Sequence, residues 1–141
     1  MATGSSVGED RVREMSRLGL PQDAVVQVVG WDEDCDADFL ADVTAHVLEV
    51  VLADASEVVD GVLVWWRSDD GDLADGLLDA LSMLADHGVI WLLTPRPGRG
   101  GHMPGSDMKE AVQVAGLQIT SSISVGADWQ AARLTAPKSG R

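Results

Sequence analysis

Basic residues are scarce in this 141-residue chain: ten Lys and Arg stand against 23 Asp and Glu, for a formal charge of -13. Such a surface repels phosphate polyanions and anionic lipid, which disfavours nucleic acid and membrane surfaces as partners. Tyrosine is absent and Phe39 is the single phenylalanine, so aromatic content is concentrated in five tryptophans. Cys35, the single cysteine, has no partner for an internal disulfide. No apolar run approaches the roughly 20 residues a helix needs to cross a bilayer. Nor does a positively charged segment followed by an apolar stretch open the chain as a secretion signal would. These absences predict a soluble, cytoplasmic protein. Its length predicts one domain whose core needs neither disulfides nor metal.

Residues 1–14 lack a continuous apolar face and are expected to be a mobile lead-in to a domain at 15–138, followed by a frayed tail at 139–141. The β-branched run Ala24-Val25-Val26-Gln27-Val28-Val29, closed by Gly30, reads as a buried strand. From Asp36, apolar Phe39, Val43 and Val47 recur at a spacing of four and predict a helix. Glu49-Val50-Val51-Leu52 reads as a short second strand. Two near-continuous apolar runs follow, Gly61-Val62-Leu63-Val64-Trp65-Trp66 and Gly88-Val89-Ile90-Trp91-Leu92-Leu93, as expected of strands buried on both faces. Trp65 and Trp66 then point to opposite faces, and both are expected in the core.

Between those runs Leu73, Leu77, Leu81 and Leu84 mark a helical stripe, with Asp69, Asp70 and Asp72 at its start and His87-Gly88 at its end. A strand-helix-strand unit implies parallel pairing. Asp107 with Glu110 reads as a capping pair for a helix that Gly116 ends. Leu117, Ile119, Ile123 and Val125 alternate with polar residues, and Gly126-Ala127-Asp128 leads into 129–136, so the chain is expected to end in an antiparallel hairpin. The fold class predicted is α/β: three-layer, Rossmann-like, with a mostly parallel sheet.

That order of elements resembles a class I methyltransferase sheet shortened by about one strand-helix unit, which implies a last strand lying between its hairpin partner and the Gly88 strand. More closely, the chain resembles an actinobacterial family catalogued as domain of unknown function 3052. The resemblance rests on Gly30-Trp31-Asp32-Glu33-Asp34, on Trp65-Trp66-Arg67 running into Asp69-Asp70-Gly71-Asp72-Leu73, on Gly88-Val89-Ile90-Trp91-Leu92-Leu93-Thr94-Pro95, and on Arg133-Leu134 with Pro137-Lys138. It covers nearly everything from Met15 to Lys138 and implies a fold, with no established activity attached.

Open parallel sheets bind ligands outside the carboxyl ends of their strands, where three loops of this chain converge. The first carries Trp31, Asp32, Glu33 and Asp34 where a nucleotide or S-adenosylmethionine site requires a glycine-rich turn, whose amides closely approach the ligand. Only Gly30 is present. Asp34, Asp36 and Asp38 imitate the start of a calcium loop, but Phe39 replaces the glycine of the sharp turn and Ala45 the bidentate Glu. A magnesium site between the Asp32 and Asp69 loops stays open, although capping of helices is the simpler role for these acids.

The second loop brings Arg67, Asp69 and Asp70; the third, rich in Gly and Pro, brings Arg96, Arg99 and His102. These arginines are suited to clamping an anion or to pairing with neighbouring aspartates. Trp31, in a loop at the same edge, is a binding anchor if exposed. No Gly-x-Ser-x-Gly, His-Glu-x-x-His or Cys-x-x-Cys pattern occurs, so no catalytic residue, cofactor or metal is assigned. The expected function is regulatory or accessory and non-enzymatic: binding of an unidentified protein partner through the acidic, tryptophan-bearing edge. The alternative is a small-molecule or methyltransferase-like site for S-adenosylmethionine or a metal-assisted anion there.

Overall fold

The computed structural model describes residues 18–52 and 58–136, so the expected lead-in, the tail and the boundary at residue 15 lie outside the described residues. In chain order the elements are β1 (Val25–Val29), α1 (Ala37–His46), β2 (Glu49–Val51), β3 (Val59–Trp65), α2 (Leu73–Ser82), β4 (Leu84–Pro95), α3 (Gly105–Val114), β5 (Gln118–Val125) and β6 (Trp129–Thr135). The sheet runs β2-β1-β3-β4-β6-β5. Pairing is parallel from β2 to β4 and antiparallel where β6 meets β4 and β5. The last strand thus lies between its hairpin partner and β4, as the methyltransferase resemblance implies.

Alternation along the central strands divides the core into two halves. Leu63, Trp65, Trp91 and Leu93 face Phe39 and Val43 of α1, together with Leu18 and Leu20. Val62, Val64, Ile90 and Leu92 face Leu73, Leu77 and Ala80 of α2 and Val112 of α3. Each fully buried side chain of this size contributes about 1.5–3 kcal/mol through removal of apolar surface from water. Trp91 also donates from Nε1 to the carbonyl of Leu18 at 2.8 Å, closing the indole's one polar demand inside the core. Trp65 is buried; Trp66, on the opposite face, is partly buried beside the second cluster.

Helix starts follow the acids in two cases. Asp36 accepts from the Phe39 amide at 2.9 Å and Asp72 from the Ala74 amide at 2.9 Å, capping α1 and α2. In α3 the expected Asp107–Glu110 capping pair is not what opens the helix. Pro104 stands at the cap without a side-chain bond, and Asp107 lies inside the first turn. Proline's fixed φ, with its carbonyl receiving the Met108 amide at 3.1 Å, starts the helix earlier.

Gly116, at φ +79, ends this helix in the left-handed region. A second correction concerns Leu84, expected on the α2 stripe. The helix closes at Ser82, and Leu84 pairs with Val59 in a 12-residue β4, followed by a register shift between Val59 and Gly61. His87-Gly88 therefore lies within a strand rather than at a helix end. Leu52, expected in the second strand, lies just beyond β2. No helix of the described residues is long and apolar enough to cross a membrane.

Candidate functional site

The carboxyl ends of β1 and β3 lie side by side, with Val29 paired to Val64, and the loops after them carry residues 30–36 and 66–72. Gly30 turns the chain at φ +79, and a β-carbon there would sit 2.2 Å from the Trp65 carbonyl oxygen, so only glycine passes this point. The Gly30 carbonyl accepts from Arg67 Nη1 at 2.8 Å. Beyond it three amides of the turn are engaged within it: Asp32 N–H points to Cys35 Sγ at 3.3 Å, Glu33 N–H to Asp32 Oδ1 at 2.8 Å, and Cys35 N–H to the Asp32 carbonyl at 3.1 Å.

Arg67 bridges the two loops. Its Nε donates to Asp34 Oδ2 at 3.0 Å and its Nη2 to Asp34 Oδ1, a forked pair suited to the planar guanidinium. Nη2 also approaches Cys35 Sγ at 3.1 Å, and the guanidinium lies 5.2 Å from the Trp129 ring centre. The Arg67 amide is held by Asp70 Oδ2 at 2.8 Å. With a side chain 12% exposed, Arg67 is a strut between loops rather than a free anion clamp.

Electrostatics follow from these contacts. The hydrogen bonds from Arg67 hold the Asp34 carboxyl below its ordinary range, and Asp34 in turn keeps Arg67 more firmly protonated. Burial pushes the Cys35 thiol up, against the smaller opposing pull of the Asp32 amide and Arg67. Arg67 is thus locked as a cation and Cys35 kept as a thiol, which suits holding a shape better than moving a proton.

Beneath Arg67 is an aromatic cluster. Trp65 packs edge-to-face against Trp129 at 4.9 Å, Trp31 at 5.5 Å and Phe39 at 6.2 Å between ring centres. Trp129 donates from Nε1 to the Asp34 carbonyl at 2.9 Å. Trp31 is the outermost member, 37% exposed while its edge rests on buried Trp65.

Of the expected edge residues, Asp32, Asp34, Arg67, Asp69 and Asp70 meet around one open polar cleft of about 430 Å³, which Gly100 and Gly101 also line. Glu33 is exposed beside it. Arg96, Arg99 and His102 do not join them. Arg96 and Arg99 line a separate hollow beside Ala127, Arg99 pairs with Asp128 at 2.9 Å on the surface, and His102 Nδ1 turns back to the Pro95 carbonyl at 3.0 Å. Among the described residues no group of three or more His, Cys, Asp or Glu side chains is placed to hold a metal ion.

Cys35, Trp65 and Trp129 belong to the assembly and were not among the expected site residues. Trp129 had a legible signal: as the first residue of the last strand of an antiparallel hairpin, it must lie beside the carboxyl end of β4, where it pairs with Pro95. The contact of Cys35 with Arg67 had none.

Residues 15–138 match the family described as "Protein of unknown function (DUF3052)". An uncharacterised protein of Mycobacterium tuberculosis strain H37Rv is 47% identical over 124 residues, which are 87% of this chain and 78% of that protein. Among solved structures, the chain is similar to CalO1, a methyltransferase in calicheamicin biosynthesis in its S-adenosylhomocysteine-bound form, with a TM-score of 0.63 and 12% identity; 91% of this chain spans 54% of that one. A S-adenosylmethionine-dependent methyltransferase from Thiobacillus denitrificans gives a TM-score of 0.57 at 11% identity, covering 92% of this chain and 91% of the other. At such identities the likeness establishes the fold, a class I methyltransferase sheet, and nothing of the chemistry.

That fold implies S-adenosylmethionine, and the residues present do not fit it. The loop after β1 engages its Asp32, Glu33 and Cys35 amides within itself, its glycine carbonyl is engaged, and the Arg67 side chain spans the gap between the first two loops.

Proposed function

The chain belongs to the DUF3052 family, and from the bridged cofactor position we propose that it is a non-enzymatic recognition domain. It binds a protein partner through the acidic edge around Trp31, in a regulatory or accessory role. The observation that supports this reading most is the position of Arg67, which ties Asp34 to the Gly30 carbonyl and so converts the ligand position of the fold into a fastened, rigid edge. On that edge Trp31 stands part-exposed on a buried aromatic support; Asp32 and Glu33, exposed, follow it in the chain, and Asp32 lines the polar cleft with Asp69 and Asp70.

A rigid indole with a polar rim is the arrangement of an interface anchor. The carboxylates favour a partner segment rich in Lys or Arg and accelerate its approach. The competing reading, a site for S-adenosylmethionine or a metal-assisted anion, requires Arg67 to leave Asp34 and Gly30 before a ligand enters.

Affinity isolation of the tagged chain from a native lysate of its own host, beside Trp31→Ala and Asp32→Ala, tests the proposal. A partner present with the wild type and lost from both variants is the expected result. Recovery of no partner, or of the same set with all three baits, contradicts it.

A further inference from the structure

The edge strand β5 differs from the rest of this acidic surface. Residues 111–127 contain no Asp, Glu, Lys or Arg. Five β5 residues, Gln118, Thr120, Ser121, Ser122 and Ser124, are exposed. Edge strands that remain single are commonly blunted by charge, proline or a bulge. Here the bulge lies between Ile119 and Ser121, which leaves residues 121–125 regular and without any such guard. The opposite edge, β2, is only three residues long and begins with exposed Glu49.

Two chains of this net charge repel wherever acidic surfaces meet, so self-association is confined to uncharged surface. The pattern of the regular segment suits it. Paired antiparallel about a two-fold axis at Ile123, Ser121 faces Val125, Ser122 faces Ser124, and Ile123 faces its own equivalent. Ser122 and Ser124 then meet on one face, while on the other Ile123 meets its equivalent and each Val125 stands beside the small Ser121.

Charge adds direction. Arg133 is paired with Ser121 in the sheet, and its Nη1 donates to Thr120 Oγ1 at 3.1 Å, toward the edge. At the other end of the segment, Asp36 and Asp38 of the α1 start line a groove with Ile123 and Val125. The two-fold axis sets Ser121 of one copy beside Val125 of the next, and so carries each Arg133 toward the Asp38 of the other. We propose that this chain forms a symmetric dimer through antiparallel pairing of β5 with β5 of a second copy, joining the two sheets into one.

Sedimentation equilibrium of the purified 141-residue chain tests this, with circular dichroism to establish that variants are folded. The wild type is expected at twice the chain mass of 14.9 kDa. Ser122→Asp, an exposed substitution that places carboxylates along the pairing line, is expected at the single-chain mass with an unchanged spectrum. Asp38→Arg is expected to weaken association roughly tenfold by setting like charges together twice. A wild type at single-chain mass at every concentration, or a Ser122→Asp chain at double mass, overturns the dimer. Association unmoved by Asp38→Arg overturns the Ile123-centred register.

Discussion

Arg67 grips Asp34 from a position 33 residues away, with Nε 3.0 Å from Oδ2 and Nη2 on Oδ1. The loop after β3 is thereby fastened to the loop after β1, across the place where the methyltransferase fold receives its cofactor. The same guanidinium covers Trp129 and reaches the Gly30 carbonyl, so one side chain holds three segments of the chain together.

Replacing Arg67 by Ala is expected to destabilise the fold by about 2 kcal/mol, because the Gly30 carbonyl, the Trp129 face and the Cys35 sulfur lose their cover together. Arg67→Lys is expected to recover little, since an ammonium cannot reproduce the forked contacts. Urea denaturation of the three proteins checks both statements.

Acid sensitivity should carry the signature of the same pair. The Asp34 pKa lies below its ordinary value of 3.8 in the folded chain, chiefly through the Arg67 hydrogen bonds. A depressed carboxyl pKa contributes stability above 3.8 that is lost as the pH falls through the folded value. Arg67→Ala is therefore expected to show a shallower loss of stability below pH 4 than the wild type, once the difference at neutral pH is subtracted. Unfolding curves across that range supply the comparison.

Much of this fold was legible because its signals are local. The apolar runs at 61–66 and 88–93 marked the central strands, Asp36 and Asp72 marked helix starts, and the alternation through 117–125 marked the hairpin. Leu84 and Asp107 misled for a shared reason: each satisfies a helical pattern that a neighbour overrides, Val59 by pairing with Leu84 and Pro104 by starting α3 early. The convergence of Trp31, Asp34 and Arg67 on one edge followed from topology alone. That Arg67 would close the edge did not, because a contact spanning distant loops leaves no periodicity. The arrival of Trp129 beneath it had a trace only in the hairpin register.

Gly30→Ala tests how tightly that edge is built. The added methyl meets the Trp65 carbonyl at 2.2 Å, and φ of +79 is strained for any side chain, so a loss of at least about 2 kcal/mol is expected. Gly98→Ala is the control. It has positive φ but open space around it, and is expected to cost only about 1 kcal/mol. Thermal unfolding of the two variants separates contact from strain.

Cys35 reports on the integrity of the strut. Buried and held as a thiol, it is expected to react slowly with a disulfide reagent at pH 8 in the wild type and at least tenfold faster in Arg67→Ala, where the sulfur is uncovered. Equal rates in the two proteins would mean that Arg67 does not shield it.

Calorimetric titration of the wild-type chain with S-adenosylmethionine, and with S-adenosylhomocysteine alongside, addresses the closed cofactor position most directly. With Arg67 fastened between Asp34 and Gly30, no saturable heat is expected with either compound at millimolar concentration. Stoichiometric binding in the micromolar range would contradict the account, because it would show that the cofactor position of this fold is open.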